Sequence, residues 1–76
     1  MQSKIKRVMS IVFEIPVDEI NDESSIETTK AWDSLRHMNL IVALEEEFNI
    51  QFLDEEILEV MKFQDIVNLV QKKLKN

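Results

Sequence analysis

Apolar residues recur at helical spacing in four separate blocks of this chain, and nowhere do they alternate as a strand requires. In residues 3 to 14 the block is Ile5, Val8, Met9 and Val12, with Ser3 as a candidate N-cap and Lys4, Lys6 and Arg7 facing outward. Pro16 stops that helix, because its ring forbids the helical conformation in the residue before it. Residues 16 to 33 then run without sustained periodicity, rich in Asp, Glu, Ser and Thr, with Ile20 and Ile26 as isolated apolar anchors. This predicts a long ordered loop. A second helix starts with Asp33 or Ser34 as N-cap and runs to about Phe48. Beyond a connection from Asn49 to Leu53, Asp54 can cap a short third helix ending near Lys62, with Glu55 and Glu56 where the dipole favours negative charge. Ile57, Leu58 and Met61 supply its apolar side. The last helix carries Phe63, Ile66, Val67, Val70 and Leu74 as one stripe and finishes with Lys72, Lys73 and Lys75, where cations suit the dipole.

The pattern is therefore all-α, and 76 residues make it a single domain, 1 to 76. A chain this short buries only about 60% of its unfolded surface, which leaves little room for an enclosed active site. With no cysteine there is no thiolate nucleophile or disulfide, and with no glycine there is no phosphate-cradling glycine loop. The longest apolar run, Leu40 to Leu44, is far short of a membrane span, and the N-terminus lacks the apolar stretch of a secretion signal. A cytoplasmic monomer is expected.

Charge is segregated along the chain. Residues 14 to 59 hold fourteen acidic residues against only Lys30 and Arg36, a local excess of twelve negative charges inside a net charge of −6. Such a field repels nucleic acid and attracts partners with basic patches. The acidic block coincides with the second helix, which has two apolar stripes. Leu40, Ile41, Leu44 and Phe48, with His37, fall on one face assigned to the core; Leu35, Met38 and Val42 fall on another that the same neighbours cannot cover. The second stripe, rimmed by Glu45 and Glu46, packs under the loop or serves as a partner site.

Ser34 opens this helix. On the Asp33-Ser34-Leu35 tripeptide alone an N-cap is the preferred reading, since serine is common at helix starts. A hydrolytic site needs a base behind the serine and an oxyanion hole. Here Asp33 sits beside the serine rather than behind His37, and no glycine elbow exists. Ser34 is thus an acceptor rather than a nucleophile of its own making.

The run from Trp32 to Phe48 resembles the region of acyl carrier proteins where a serine is esterified with phosphopantetheine. The resemblance extends over nearly the whole chain: the loop with Pro16, Asp18-Glu19-Ile20 and Ile26, the acidic second helix and the capped third helix occur in the expected order. It implies a small four-helix bundle with a long first loop and a short third helix, and it accounts for a loop otherwise unusual in so small a domain. It further implies that Ser34 is the attachment site of 4′-phosphopantetheine donated by coenzyme A, and that Asp33 helps to engage the transferase and its Mg²⁺. By the same resemblance Leu35, Arg36, Met38, Val42, Glu45 and Glu46 form the partner surface. The partners implied are a phosphopantetheinyl transferase and the enzymes that load and transfer acyl groups; the chain itself is no enzyme and offers no metal site. Leu44, Phe52, Ile57 and Val60 line the apolar interior where such a carrier shelters an acyl chain.

Three positions depart from the fatty-acid type. Trp32 stands where small residues are frequent, Arg36 where an acidic residue is usual, and Asn39 at another frequent acidic position. Peptidyl carriers usually show two glycines before the Asp-Ser pair, and none exists here. The expectation is a dedicated acyl carrier of a specialised pathway. The alternatives are a carrier of aminoacyl or other non-fatty groups and an acidic helical adaptor in which Ser34 only caps a helix. Trp32 is expected to pack over the junction of loop and helix, and His37 to be a hydrogen-bonded helix residue.

Overall fold

The computed structural model describes residues 1–75 and is all-helical. Its elements are α1 (Gln2–Phe13), a single 3-10 turn (Val17–Glu19), α2 (Ser34–Phe48), α3 (Asp54–Glu59) and α4 (Phe63–Leu74). The long loop between α1 and α2 is present as expected. Helix boundaries differ from the sequence reading in three places. Met1 rather than Ser3 occupies the N-cap of α1 and offers no side-chain bond; its carbonyl accepts the amides of Lys4 and Ile5 instead. Leu53 rather than Asp54 is the N-cap of α3, and its amide is held by the Glu56 carboxylate at 2.8 Å. The third helix ends at Glu59, because Val60 turns to extended backbone and Lys62 becomes the N-cap of α4.

Without glycine, the helices must end on residues that bear a Cβ. Glu14 and Asn49 close α1 and α2 in the left-handed region, with φ of 57° and 55°. The amides of Ile15 and Ile50 reach back to the carbonyls of Ser10 and Glu45, the Schellman pattern that satisfies a helix end. Asn tolerates this conformation; Glu carries a steric cost of about 1–2 kcal/mol.

One apolar cluster spans all the elements: Ile5, Val8, Met9 and Phe13 of α1, Leu40, Ile41 and Leu44 of α2, Phe52 and Val60 flanking α3, and Phe63, Ile66, Val67 and Val70 of α4. Ile20 and Trp32 join it from the loop, with Ile26 half-buried against it. Two expectations about the core need correction. Leu58 is 75% exposed and Met61 52%; the half-buried Ile57 of α3 and the buried Val60 just beyond it face the core instead. With so few residues in α3, one turn faces the core and the rest faces out. Leu74 is exposed as well.

The loop is fastened by backbone bonds rather than by side-chain packing alone. Ile26 N–H donates to the Met61 carbonyl at 2.8 Å, and Phe63 N–H donates to the Ser24 carbonyl at 2.9 Å, which clasps the middle of the loop to the α3–α4 junction. At the far side Lys73 pairs with Glu56 at 2.8 Å, both side chains half-buried. The Leu53 amide, and then the Lys73 ammonium, hold the Glu56 carboxyl below its ordinary range.

Candidate functional site

Asp33 settles which residue caps α2. Its Oδ1 accepts the Arg36 amide at 2.9 Å and its Oδ2 meets the Arg36 guanidinium at 3.1 Å. One carboxylate thus satisfies an orphan helix amide and gains a counter-ion from the first turn. Ser34 is thereby released from capping. It occupies the first helical position, it is exposed, and its hydroxyl has no hydrogen-bond partner among the described residues.

No base among the described residues is hydrogen-bonded to that hydroxyl. His37 is the one histidine, and both of its ring nitrogens are engaged elsewhere. The Trp32 indole N–H donates to His37 Nδ1 at 2.9 Å, so Nδ1 is unprotonated and Nε2 carries the hydrogen that it gives to the Ile57 carbonyl at 2.9 Å. Trp32 is 2% exposed and tilted against Phe13, and its ring lies side by side with the His37 ring, the planes within 20° and the centroids 6.2 Å apart. The relay ties the end of the loop, α2 and α3 together. It also serves Ile57, whose carbonyl has no helical amide to accept: the Met61 amide four residues on donates to Asp65 instead. Sequence reasoning placed Trp32 over the junction and His37 in the helix but did not pair them. The available signal was a buried indole, which almost always finds an acceptor.

The two stripes of α2 separate as their spacing requires. Leu40, Ile41 and Leu44 are buried and Phe48 half-buried, whereas Leu35 is 73%, Met38 47% and Val42 51% exposed. Leu35, Met38 and Val42 therefore form an apolar strip beginning beside Ser34. Glu46 is exposed beside it. Glu45 is half-buried, and its Oε2 accepts the Phe52 amide at 2.9 Å, so this carboxylate holds the connection between α2 and α3. Arg36 and Lys30 both line one cleft at the foot of α2, with Thr28, Thr29, Ala31 and Glu19. Leu44, Phe52 and Val60 are buried together in the core, with Ile57 half-buried beside them.

The geometry suits a phosphodiester on Ser34. The oxygen is unencumbered, and the helix N-terminus beneath it favours the negative charge such a linkage adds. No described helix is long and apolar enough to cross a membrane, and the described residues contain no cluster of three potential metal ligands.

Comparisons with known proteins find relatives over nearly the whole chain. A family model described as a phosphopantetheine attachment site matches residues 3–70. An acyl carrier protein of Clostridium acetobutylicum is 40% identical over 67 residues, covering 88% of this chain and 87% of that one. Another, from Buchnera aphidicola, is 38% identical over 74 residues, covering 96% and 91%. The solution structure of a holo acyl carrier protein from Geobacter metallireducens superposes with a TM-score of 0.87 at 35% identity, over 97% of this chain and 85% of that one.

Proposed function

The chain belongs to the acyl carrier protein family, and we propose that Ser34 is the residue that bears its 4′-phosphopantetheine. Members of this family are carriers rather than enzymes. The bound arm supplies a terminal thiol that holds an acyl group as a thioester, which a chain without cysteine cannot supply from its own residues.

The observation that carries the assignment is the division of labour at the start of α2: Asp33 caps the helix and leaves the exposed Ser34 hydroxyl without a partner among the described residues. Esterification therefore costs no hydrogen bond of the fold. Ser34 Oγ forms the new bond to the coenzyme A phosphorus that bears the pantetheine as the pyrophosphate P–O bond breaks and adenosine 3′,5′-bisphosphate leaves; the serine proton goes to a base on the transferase, because His37 is committed to Trp32 and Ile57. Asp33, partly exposed beside Ser34, is the carboxylate proposed to engage the transferase. The exposed strip of Leu35, Met38 and Val42, with Arg36, Glu45 and Glu46 at its borders, is the proposed partner surface. Its partners are a phosphopantetheinyl transferase and the enzymes that load and remove acyl groups, in the cytoplasm. Leu44, Phe52, Ile57 and Val60 are the proposed walls of an acyl shelter between α2 and α3. The departures at Trp32, Arg36 and Asn39 favour a dedicated carrier of a specialised pathway.

The test is intact mass after incubation with coenzyme A, Mg²⁺ and a promiscuous phosphopantetheinyl transferase. The wild type should gain one phosphopantetheine and Ser34→Ala none. An unmodified wild type, or a modified Ser34→Ala, defeats the assignment and leaves the adaptor reading.

A further inference from the structure

His37 stands between the Ser34 end of α2 and the apolar interior beyond it. It follows Ser34 by less than one helical turn, whereas Leu44 lies roughly 15 Å along the axis from Ser34. An acyl chain running from Ser34 to the proposed walls at Leu44, Phe52, Ile57 and Val60 must pass between α2 and α3 at the level of His37. There the two helices are bonded to each other: His37 Nε2–H donates to the Ile57 carbonyl at 2.9 Å. At the other end of the pair, the chain itself and the bond from the Phe52 amide to Glu45 join α2 to the approach to α3. One side of the α2–α3 cleft is thus closed covalently, and the side toward Ser34 is closed by His37 and Ile57.

Trp32 fixes the sense of this tie. Its indole N–H occupies His37 Nδ1 at 2.9 Å, which leaves the ring hydrogen on Nε2, toward Ile57. Trp32 is itself buried, so its end of the relay is held in the core. The Ile57 carbonyl has no helical amide to take over, because the Met61 amide donates to Asp65. An apolar chain in the cleft would part Nε2–H from that carbonyl and offer neither of them a partner. Each polar group so stranded disfavours entry by about 5- to 150-fold, whereas each methylene that the chain buries favours it about fourfold. Roughly three to seven buried methylenes are then needed before entry becomes favourable.

We infer that the Trp32–His37–Ile57 relay is a latch on the α2–α3 cleft that sets a minimum chain length for shelter: acetyl and butyryl groups stay outside, at the exposed start of α2, and only longer chains draw the helices apart. His37 is the specificity-determining residue, and Trp32 orients it. The inference rests on Ser34 being the attachment site, since that fixes where the chain starts.

A chain-length series tests it. Acetyl, butyryl, hexanoyl, octanoyl, decanoyl and dodecanoyl coenzyme A, with Mg²⁺ and a promiscuous phosphopantetheinyl transferase, are used to load wild type and His37→Ala, and intact mass verifies each product. Two properties are compared with those of the same protein bearing the free thiol: the melting temperature and amide exchange in α3. In the wild type, acetyl and butyryl should change neither, and a rise in melting temperature with altered α3 exchange should set in at hexanoyl or a later member of the series. In His37→Ala the onset should come at an earlier member than in the wild type. If His37→Ala does not fold, His37→Leu, which fills the space of the ring without its polar atoms, takes its place; the wild-type series is decisive by itself in either case. A wild type that responds at butyryl or to no member of the series, or a variant whose onset matches that of the wild type, overturns the inference while leaving Ser34 loaded. A wild type that gains no mass defeats the Ser34 assignment itself, and the inference with it.

Discussion

Asp33 uses both carboxylate oxygens at the start of α2, one on the Arg36 amide and one on its guanidinium, while the neighbouring Ser34 hydroxyl has no hydrogen-bond partner among the described residues. Truncation should therefore separate the two residues. Asp33→Ala should lower stability by about 0.5–2 kcal/mol, the usual effect of losing a cap, whereas Ser34→Ala should change it little. Urea unfolding of both variants checks this, and an Ser34→Ala loss as large as that of Asp33→Ala would contradict it. His37 is the second residue with an uncommon assignment. Removing its ring by His37→Ala leaves the buried Trp32 indole N–H and the Ile57 carbonyl without partners, at a cost of about 1–3 kcal/mol for each group left unsatisfied. Its signature should be faster amide exchange in α3 and a changed Trp32 fluorescence. Unchanged exchange in α3 would mean that the relay does not anchor that helix.

At the scale of elements, α2 faces two environments with one set of apolar residues. Leu44 is fully buried, so Leu44→Ala should destabilise by roughly 2–5 kcal/mol through lost burial and the cavity left behind. Met38→Ala removes a side chain that is already 47% exposed and should leave the melting temperature nearly unchanged while slowing modification or acyl transfer by a docked enzyme. Equal destabilisation by the two substitutions would deny the separation of the stripes. Helix α3 depends on others to a degree that α2 does not. Six residues are too few for a helix to be stable alone. Its carbonyl end rests on His37, its amide end on Glu56, and its following turn on the backbone clasp from Ile26 to Met61.

Across the whole molecule, the acidic block presses on itself. Lys4 and Lys6 of α1 offset a little of it by reaching Glu47 at 3.2 Å and Asp22 at 3.5 Å. Fourteen acidic residues against two cations between 14 and 59 leave repulsion as the larger effect. Added salt should then raise the melting temperature, because the exposed carboxylates that repel one another outnumber the ion pairs that screening also weakens, such as the half-buried Lys73–Glu56 pair. A flat or falling melting temperature between low and moderate salt would refute this. Acid acts on that pair in the opposite sense. The folded carboxyl of Glu56 lies below its ordinary range, so the unfolded chain binds its proton first as pH drops. The stability that Glu56 contributes is full at neutral pH and is lost as pH falls from the ordinary glutamate range toward the folded value. Melts of Glu56→Gln should accordingly show a shallower loss of stability over that acid interval than the wild type.

Periodicity was enough to read the four helices, the long loop and the two faces of α2, because a helix in water must bury the side chains that recur every three or four residues. The neighbourhood of Ser34 was legible for the same reason: an Asp-Ser pair before an apolar-periodic run marks a helix start wherever it occurs. Which of the two caps was not legible. Asp and Ser are both good caps, and the choice fell to Asp33 once the Arg36 guanidinium could share its carboxylate. The assignment of Leu58 and Met61 to the core failed because α3 is too short for its own period to fix its rotation. That rotation was decided by His37 at Ile57, by the burial of Val60 and by the clasp at Met61, contacts separated in sequence by up to 35 residues. Helical period is a local property and can be read along the chain; the partners of Trp32, His37, Glu45 and Ser24 lie across the fold, and only packing brings them together.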